Sequence, residues 1–311
     1  MAPEPGASEG RMSGSHLDTG SRIGDVLNHR AFAGFSGLIL PWDNRTYDES
    51  MRLGSIGVLL PYHSHVEPEV VVGALNHMID DVSNGKTIFY NFYDEAQRRA
   101  DPSKENTGLF FFRGRPKAPF AVIAPGGGFS YVGSVHEGFP YAVEISNRGY
   151  NAFVLRYRAG NGGVVATQDL AAAISFIFAN VKVLDVGTDD YSLWGSSAGA
   201  RMAAAIGSHG TADFGEIELP KPSVVVMAYT GHADYSADEP PTFVVVGEDD
   251  KIAPPSVMER RIAILLEGGT EVEYHKYPDL GHGFGTGAGT SAEGWIASAV
   301  RFWERSIRQG E

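Results

Sequence analysis

The chain has 311 residues, 43% of them hydrophobic and 20% charged, with no cysteine and a formal net charge of −13. That length suits one large α/β domain with an appendage, or two small domains, and it can bury a sizeable core. The acidic balance argues against nucleic-acid and anionic-lipid partners, and the lack of cysteine excludes disulfides, thiolate chemistry and Cys-ligated metals.

Residues 1–21 are rich in Pro, Gly, Ser and Glu and contain no apolar h-region. They read as a disordered tail rather than a secretory signal. No run approaches the roughly 18 uninterrupted apolar residues of a membrane span, so a cytoplasmic protein away from membranes is the expectation. Residues 22–115 form a mixed N-terminal extension, expected to supply cap or edge elements. Val70–Val82 has helical spacing, Thr87–Phe92 reads as a strand, Asp94–Ala100 as a short helix and Leu109–Phe112 as an apolar strand.

From residue 116 to 311 strand-like and helix-like segments alternate. The predicted strands are Phe120–Ala124, Ala152–Arg156, Tyr191–Trp194, Val224–Ala228, Phe243–Val246 and Val272–Tyr277. The predicted helices include Tyr141–Asn147, Val165–Ala179, Ala198–Ser208, Val257–Leu266 and Ala292–Ile307. Short apolar strands separated by helices imply βαβ units in a mostly parallel sheet flanked by helices. Ligands of such sheets bind beyond the carboxyl ends of the strands, so the residues just after each strand carry the chemistry.

Gly195-Ser196-Ser197-Ala198-Gly199 follows a strand and opens a helix. This is the G-x-S-x-G setting in which a tight turn lifts a serine hydroxyl above the sheet. Ser197 is the candidate nucleophile. A second copy of the pattern, Gly6–Gly10, lies in the tail with no strand before it and is rejected. Pro125-Gly126-Gly127-Gly128-Phe129 follows an earlier strand, where an oxyanion-binding loop belongs. The backbone amides of Gly127 and Gly128, with that of Ala198, are the candidate donors. His282, after the last strand, is the candidate base, and His275 and His232 are the alternatives. Gly247-Glu248-Asp249-Asp250 offers three carboxylates after its strand. Asp250 is favoured on spacing, with Asp249 the runner-up and Glu248 behind it.

The ordered set PGGGF, GYNAFVLRYR, QDLAAAI, LWGSSAGA, GEDDKIAP and GHGFG is similar to bacterial α/β-hydrolase esterases. The resemblance is to the acetyl esterase and acetyl-xylan esterase group, related to hormone-sensitive-lipase-like carboxylesterases, with Pro125 where many relatives carry His. It runs from about Phe120 to Ile307. It implies an α/β-hydrolase fold and cofactor-free hydrolysis of short-chain, chiefly acetyl, esters, with acetylated carbohydrate among the substrates. It also implies that Ser197, Asp250 and His282 fill the triad.

Phe129, Tyr131, His136, Glu137 and Thr230 follow strands closely enough to be candidate substrate-binding residues. A serine peptidase or amidase of the same fold is the alternative activity, with Glu137 or Arg201 as the anchor for a peptide terminus. A non-catalytic binding module is the third reading. His63, His65, Glu67 and Glu69 resemble a zinc-binding edge in composition, but a polar segment ahead of a helix accounts for them better. No metal is expected. The extension is expected to cover the site or to form a homodimer contact.

Overall fold

Apolar runs bounded by turn residues assemble into one eight-stranded sheet in the computed structural model, which describes residues 15–43 and 45–310. The strands are β1 (Phe89–Tyr90), β2 (Gly108–Phe112), β3 (Phe120–Ala124), β4 (Asn151–Arg156), β5 (Ser192–Ser196), β6 (Val224–Ala228), β7 (Thr242–Gly247) and β8 (Val272–Tyr277). Their spatial order is β1-β2-β4-β3-β5-β6-β7-β8. β2 pairs antiparallel with β1 and β4, and every pairing from β4 to β8 is parallel.

The parallel strands read as unbroken apolar runs because both faces are covered. All of FAVIA in β3 and all of VVVMA in β6 are buried. Alternation along the strands divides these residues between two cores. Ile123, Val154, Trp194 and Val226 face one core, while Val122, Phe153, Leu193 and Val225 face the other. β8 closes the sheet as a half-buried edge, and its sequence VEYHKY mixes charge with aromatics accordingly.

The helices are α1 (Ile23–Leu27), α2 (Ser36–Ile39), α3 (Pro68–Ser83), α4 (Glu95–Ala100), α5 (Phe139–Asn147), α6 (Gly162–Ala179), α7 (Val181–Leu184), α8 (Ala198–His209), α9 (Pro255–Glu267) and α10 (Trp295–Gly310). α3, α5 and α10 pack on the first core, and α6, α8 and α9 on the second. α6 is long and apolar enough by composition to cross a membrane. Here it is a core helix: Leu170 and Ile174 are buried, and the Asp169 carboxylate is paired inside the protein with Arg158 at 2.7 Å.

The extension is woven into the sheet. It supplies β1 and β2, and Ile23, Phe32, Leu53 and Ile56 join the core shared with α5 and α10. The predicted strand Thr87–Phe92 shrinks to Phe89–Tyr90, an edge pair on β2. Arg156, fully buried at the end of β4, donates to Leu40 O at 2.9 Å and pairs with the Asp43 carboxylate. Residues 15–21, expected in the tail, are largely exposed yet tied to the extension by hydrogen bonds, with Leu53 N–H donating to Ser21 O and Gly54 N–H to Thr19 O at 2.8 Å each. Leu17 is buried, and its backbone exchanges two hydrogen bonds with the Asn76 amide at 2.8 and 2.9 Å. The rest of the tail, including the Gly6–Gly10 copy of the serine motif, lies outside the described residues.

Candidate active site

The turn from β5 to α8 is built on a close approach that only glycine permits. A Cβ on Gly199 would sit 1.9 Å from Ala124 O, and one on Gly195 would sit 2.4 Å from the Gly199 carbonyl. Ser197, between them, has φ 50° and ψ −115°. A non-glycine residue in this region stores on the order of 1–3 kcal/mol of strain, which the surrounding contacts must hold. One such contact is the Ser197 N–H donating to Ala228 O at 2.8 Å.

The loops after β7 and β8 run side by side, with Glu248 N–H donating to Tyr277 O at 2.8 Å and Asp249 N–H to Leu280 O at 3.0 Å. This pairing carries Asp250 and His282 toward Ser197. His282 Nε2 lies 2.8 Å from Ser197 Oγ, and its Nδ1 lies 2.7 Å from Asp250 Oδ2. The other Asp250 oxygen accepts the N–H groups of Ile252 at 2.9 Å and Ala253 at 2.7 Å. Asp250 and His282 are buried, whereas Glu248 and Asp249 point to solvent. The alternative histidines are elsewhere: His275 pairs with Glu273 on β8, and His232 is buried, its Nε2 without a hydrogen-bond partner among the described residues. A hydroxyl, an imidazole and a carboxylate in this line can activate an oxygen nucleophile and return its proton to a leaving group.

The glycine loop follows β3 and faces the same point. Gly127 has φ 128°, open only to glycine, and a Cβ there would lie 2.1 Å from Tyr131 O. Gly127 O accepts Ser130 N–H at 3.0 Å, and Gly126 O accepts Gly133 N–H at 2.9 Å. Among the described residues no acceptor within the protein takes the Gly127 or Gly128 N–H. Together with Ala198 N–H at the start of α8, these amides remain available to an anion.

The five candidate substrate-binding residues separate. Phe129 and Thr230 line the cleft of about 350 Å³ that contains Ser197, Ala198, Arg201 and His282. Tyr131, His136 and Glu137 do not; they are buried behind the loop and tied up internally. His136 Nε2 donates to Gly283 O at 2.9 Å. Burial, with the His63 ring close by, pushes His136 down to about 4. Glu137 accepts Gly126 N–H and lies 2.8 Å from His63 Nε2. Burial alone would raise Glu137, but the adjoining His63 outweighs it and holds the carboxyl down to about 2.

No pattern in the sequence pointed to Tyr62–His65, the part of the extension that reaches the site. Its two histidines suggested only a metal edge, yet His65 contacts Ser64 Oγ at 3.1 Å, and Ser64 Oγ donates to His282 O at 2.6 Å. Ser64 N–H also donates to Gly283 O at 3.0 Å. A second cavity of about 650 Å³ opens on this side, between Tyr62, His63, Asp249, Lys251 and His282. A third, about 420 Å³, lies past Phe129 among Val164, Met202 and Phe214.

The strand order, the strained serine turn and the order of the three loops along the chain define an α/β-hydrolase fold. Two family models match parts of the chain: BD-FAE residues 113–226, and the prolyl oligopeptidase family residues 224–310. An acetylxylan esterase of Xylanibacter ruminicola is 22% identical over 229 residues, covering 63% of this chain and 47% of that protein. The chain thus spans about half the length of that curated relative. Among solved structures, an acetyl ester-xyloside bifunctional hydrolase from Caldicellulosiruptor lactoaceticus has a TM-score of 0.61 at 19% identity, covering 70% of this chain and 95% of that one. An alpha/beta hydrolase from a Medee basin deep-sea metagenome library has a TM-score of 0.56 at 23% identity, covering 65% and 93%.

Proposed function

We propose that this chain is a serine carboxylic ester hydrolase acting on short acyl esters, chiefly acetyl esters of small alcohols and carbohydrates. The observation that carries the reading is the continuous hydrogen-bonded line from Ser197 Oγ through the His282 ring to Asp250, at 2.8 and 2.7 Å. Ser197 Oγ attacks the ester carbonyl while His282 Nε2 takes its proton. Asp250 holds the Nδ1–H tautomer and stabilises the imidazolium. The amides of Gly127, Gly128 and Ala198 receive the negative charge on the former carbonyl oxygen. Collapse expels the alcohol with the proton from His282, and water then cleaves the acyl-enzyme through the same imidazole.

The acetylxylan esterase relative and the acetyl ester-xyloside hydrolase neighbour support an acetylated sugar as substrate. The test is turnover of 4-nitrophenyl acetate by the wild type and by Ser197→Ala, with fluorophosphonate labelling. The reading requires labelling at Ser197 and only residual turnover in the variant; full turnover by Ser197→Ala refutes it. The prolyl oligopeptidase match over residues 224–310 favours a second reading, an amidase or peptidase. Of its two proposed anchors, Glu137 is buried and already engaged, which leaves exposed Arg201. Preference for an aminoacyl amide over an acetyl ester would select it.

A further inference from the structure

Glu137 is fully buried, in the wide helical turn Ser134–Gly138. A carboxylate there is costly unless each oxygen is matched. Oε2 accepts Gly126 N–H, and Oε1 makes an ion-pair contact with His63 Nε2 at 2.8 Å without hydrogen-bond alignment. The His63 side chain is buried as well, and its Nδ1 lies 2.8 Å from Tyr131 OH. Gly126 is the first glycine of the loop, and a Cβ on it would sit 2.7 Å from Glu137 Oε2 and 3.0 Å from Ser197 Cβ. The carboxylate therefore lies directly behind the serine turn.

The peptide planes turn this contact into a positioning device. Gly126 C=O and Gly127 N–H share one trans peptide and point in opposite directions. Gly126 is gripped from both ends, its N–H by Glu137 and its C=O by Gly133 N–H at 2.9 Å. Gly127 N–H is thereby aimed away from the Gly133 side. The next plane is fixed in the same manner, because Gly127 C=O takes Ser130 N–H at 3.0 Å. Glycines have little conformational preference of their own, so the loop depends on these grips.

We propose that Glu137 and His63 form a positioning pair for the oxyanion amides, so that the N-terminal extension takes part in turnover. The proposal rests on the esterase reading. Neither side chain touches the reacting atoms; both act through Gly126. The pairing also keeps an uncompensated carboxylate from opposing the charge that develops on the substrate oxygen.

The experiment compares Glu137→Gln, His63→Gln and His63→Ala with the wild type on 4-nitrophenyl acetate, alongside melting temperature. The two Gln variants should lose about 10- to 100-fold in kcat, with KM within about threefold and the pH midpoint of kcat/KM unmoved. Fluorophosphonate labelling of Ser197 should slow by a similar factor, since phosphonylation uses the same amides. Added imidazole should restore part of the kcat of His63→Ala, because His63 borders the open cavity of about 650 Å³. Folded Gln variants with kcat within twofold of wild type, a loss carried by KM alone, or no rescue by imidazole would each overturn the proposal. If Glu137→Gln does not fold, the His63 variants decide. A wild type that neither hydrolyses esters nor labels at Ser197 would refute the esterase reading instead. The pair is then judged by the Gly126 amide proton resonance, which should lie downfield and move upfield in Glu137→Gln. An unmoved resonance would refute the clamp.

Discussion

Asp250→Asn isolates one proton. Asp250 Oδ1 accepts two backbone N–H groups, from Ile252 and Ala253, and Oδ2 faces His282 Nδ1 at 2.7 Å. An asparagine must keep its oxygen toward those two donors, so its NH₂ turns to the imidazole. Nδ1 can then only accept, and the ring's single proton moves to Nε2, where it faces Ser197 Oγ. The base can no longer take the serine proton, although every heavy atom stays in place. Loss of the correct tautomer costs on the order of 10³- to 10⁴-fold in kcat, or about 4–5.5 kcal/mol of transition-state stabilisation. The assay is kcat and KM on 4-nitrophenyl acetate between about pH 6 and 10, with melting temperature as the control. Partial recovery is expected at the alkaline end, where hydroxide substitutes for the base. Asp249→Asn, on a solvent-facing neighbour, should stay within about twofold of wild type. A folded Asp250→Asn keeping more than a tenth of wild-type kcat, or a large loss in Asp249→Asn, would refute the assignment.

Three further outcomes follow from other parts of the molecule. Gly199→Ala should abolish folding or activity, because its methyl would meet Ala124 O at 1.9 Å; a soluble, fully active variant would contradict the elbow geometry. Phe129→Ala should join the cleft of about 350 Å³ to its neighbour of about 420 Å³. That change should raise kcat/KM for C6–C8 esters relative to acetate, and an unchanged chain-length profile would show that acyl chains lie elsewhere. Burial, aided by neighbouring positive charge, holds both His136 and His232 down to about 4. The unfolded chain takes up these protons near its usual pH of about 6.5, so their contribution is complete above that and falls as pH drops toward 4. Between pH 7 and 5 each costs about 2 kcal/mol of stability, and the urea midpoint at pH 5 should be lower accordingly. His232→Leu should flatten the profile, and a level wild-type profile would contradict the burial argument.

The elements that local pattern specifies were legible in the sequence. β3 and β6 are apolar runs buried on both faces, and the serine turn is marked by glycines that leave no room for a side chain. The order of the post-strand loops pointed to His282, spacing favoured Asp250 with Asp249 still open, and burial separates Asp250 from its exposed neighbours. Tyr131, His136 and Glu137 were misread as cleft residues because proximity to a glycine loop in sequence does not say which side of it they occupy. Their partners include His63 and Gly283, remote in the chain. Nothing in periodicity encodes such contacts, and a histidine in a polar run carries no mark of the carboxylate it will meet. Residues 15–21 differ from expectation for a similar reason: buried Leu17, the Asn76 amide and the N–H groups of Leu53 and Gly54 hold a stretch whose composition suggests a tail.

The buried Arg156 guanidinium has a consequence for how the chain can be cut. Its acceptors, Leu40 O and the Asp43 carboxylate, both belong to the extension, and β2 from the same segment hydrogen-bonds along the whole of its strand. A fragment beginning near residue 116 would retain the serine turn and both partner loops. It would also expose a sheet edge and leave the Arg156 guanidinium without its two acceptors. Such a truncate should aggregate rather than fold, and the intact protein should melt in one calorimetric step.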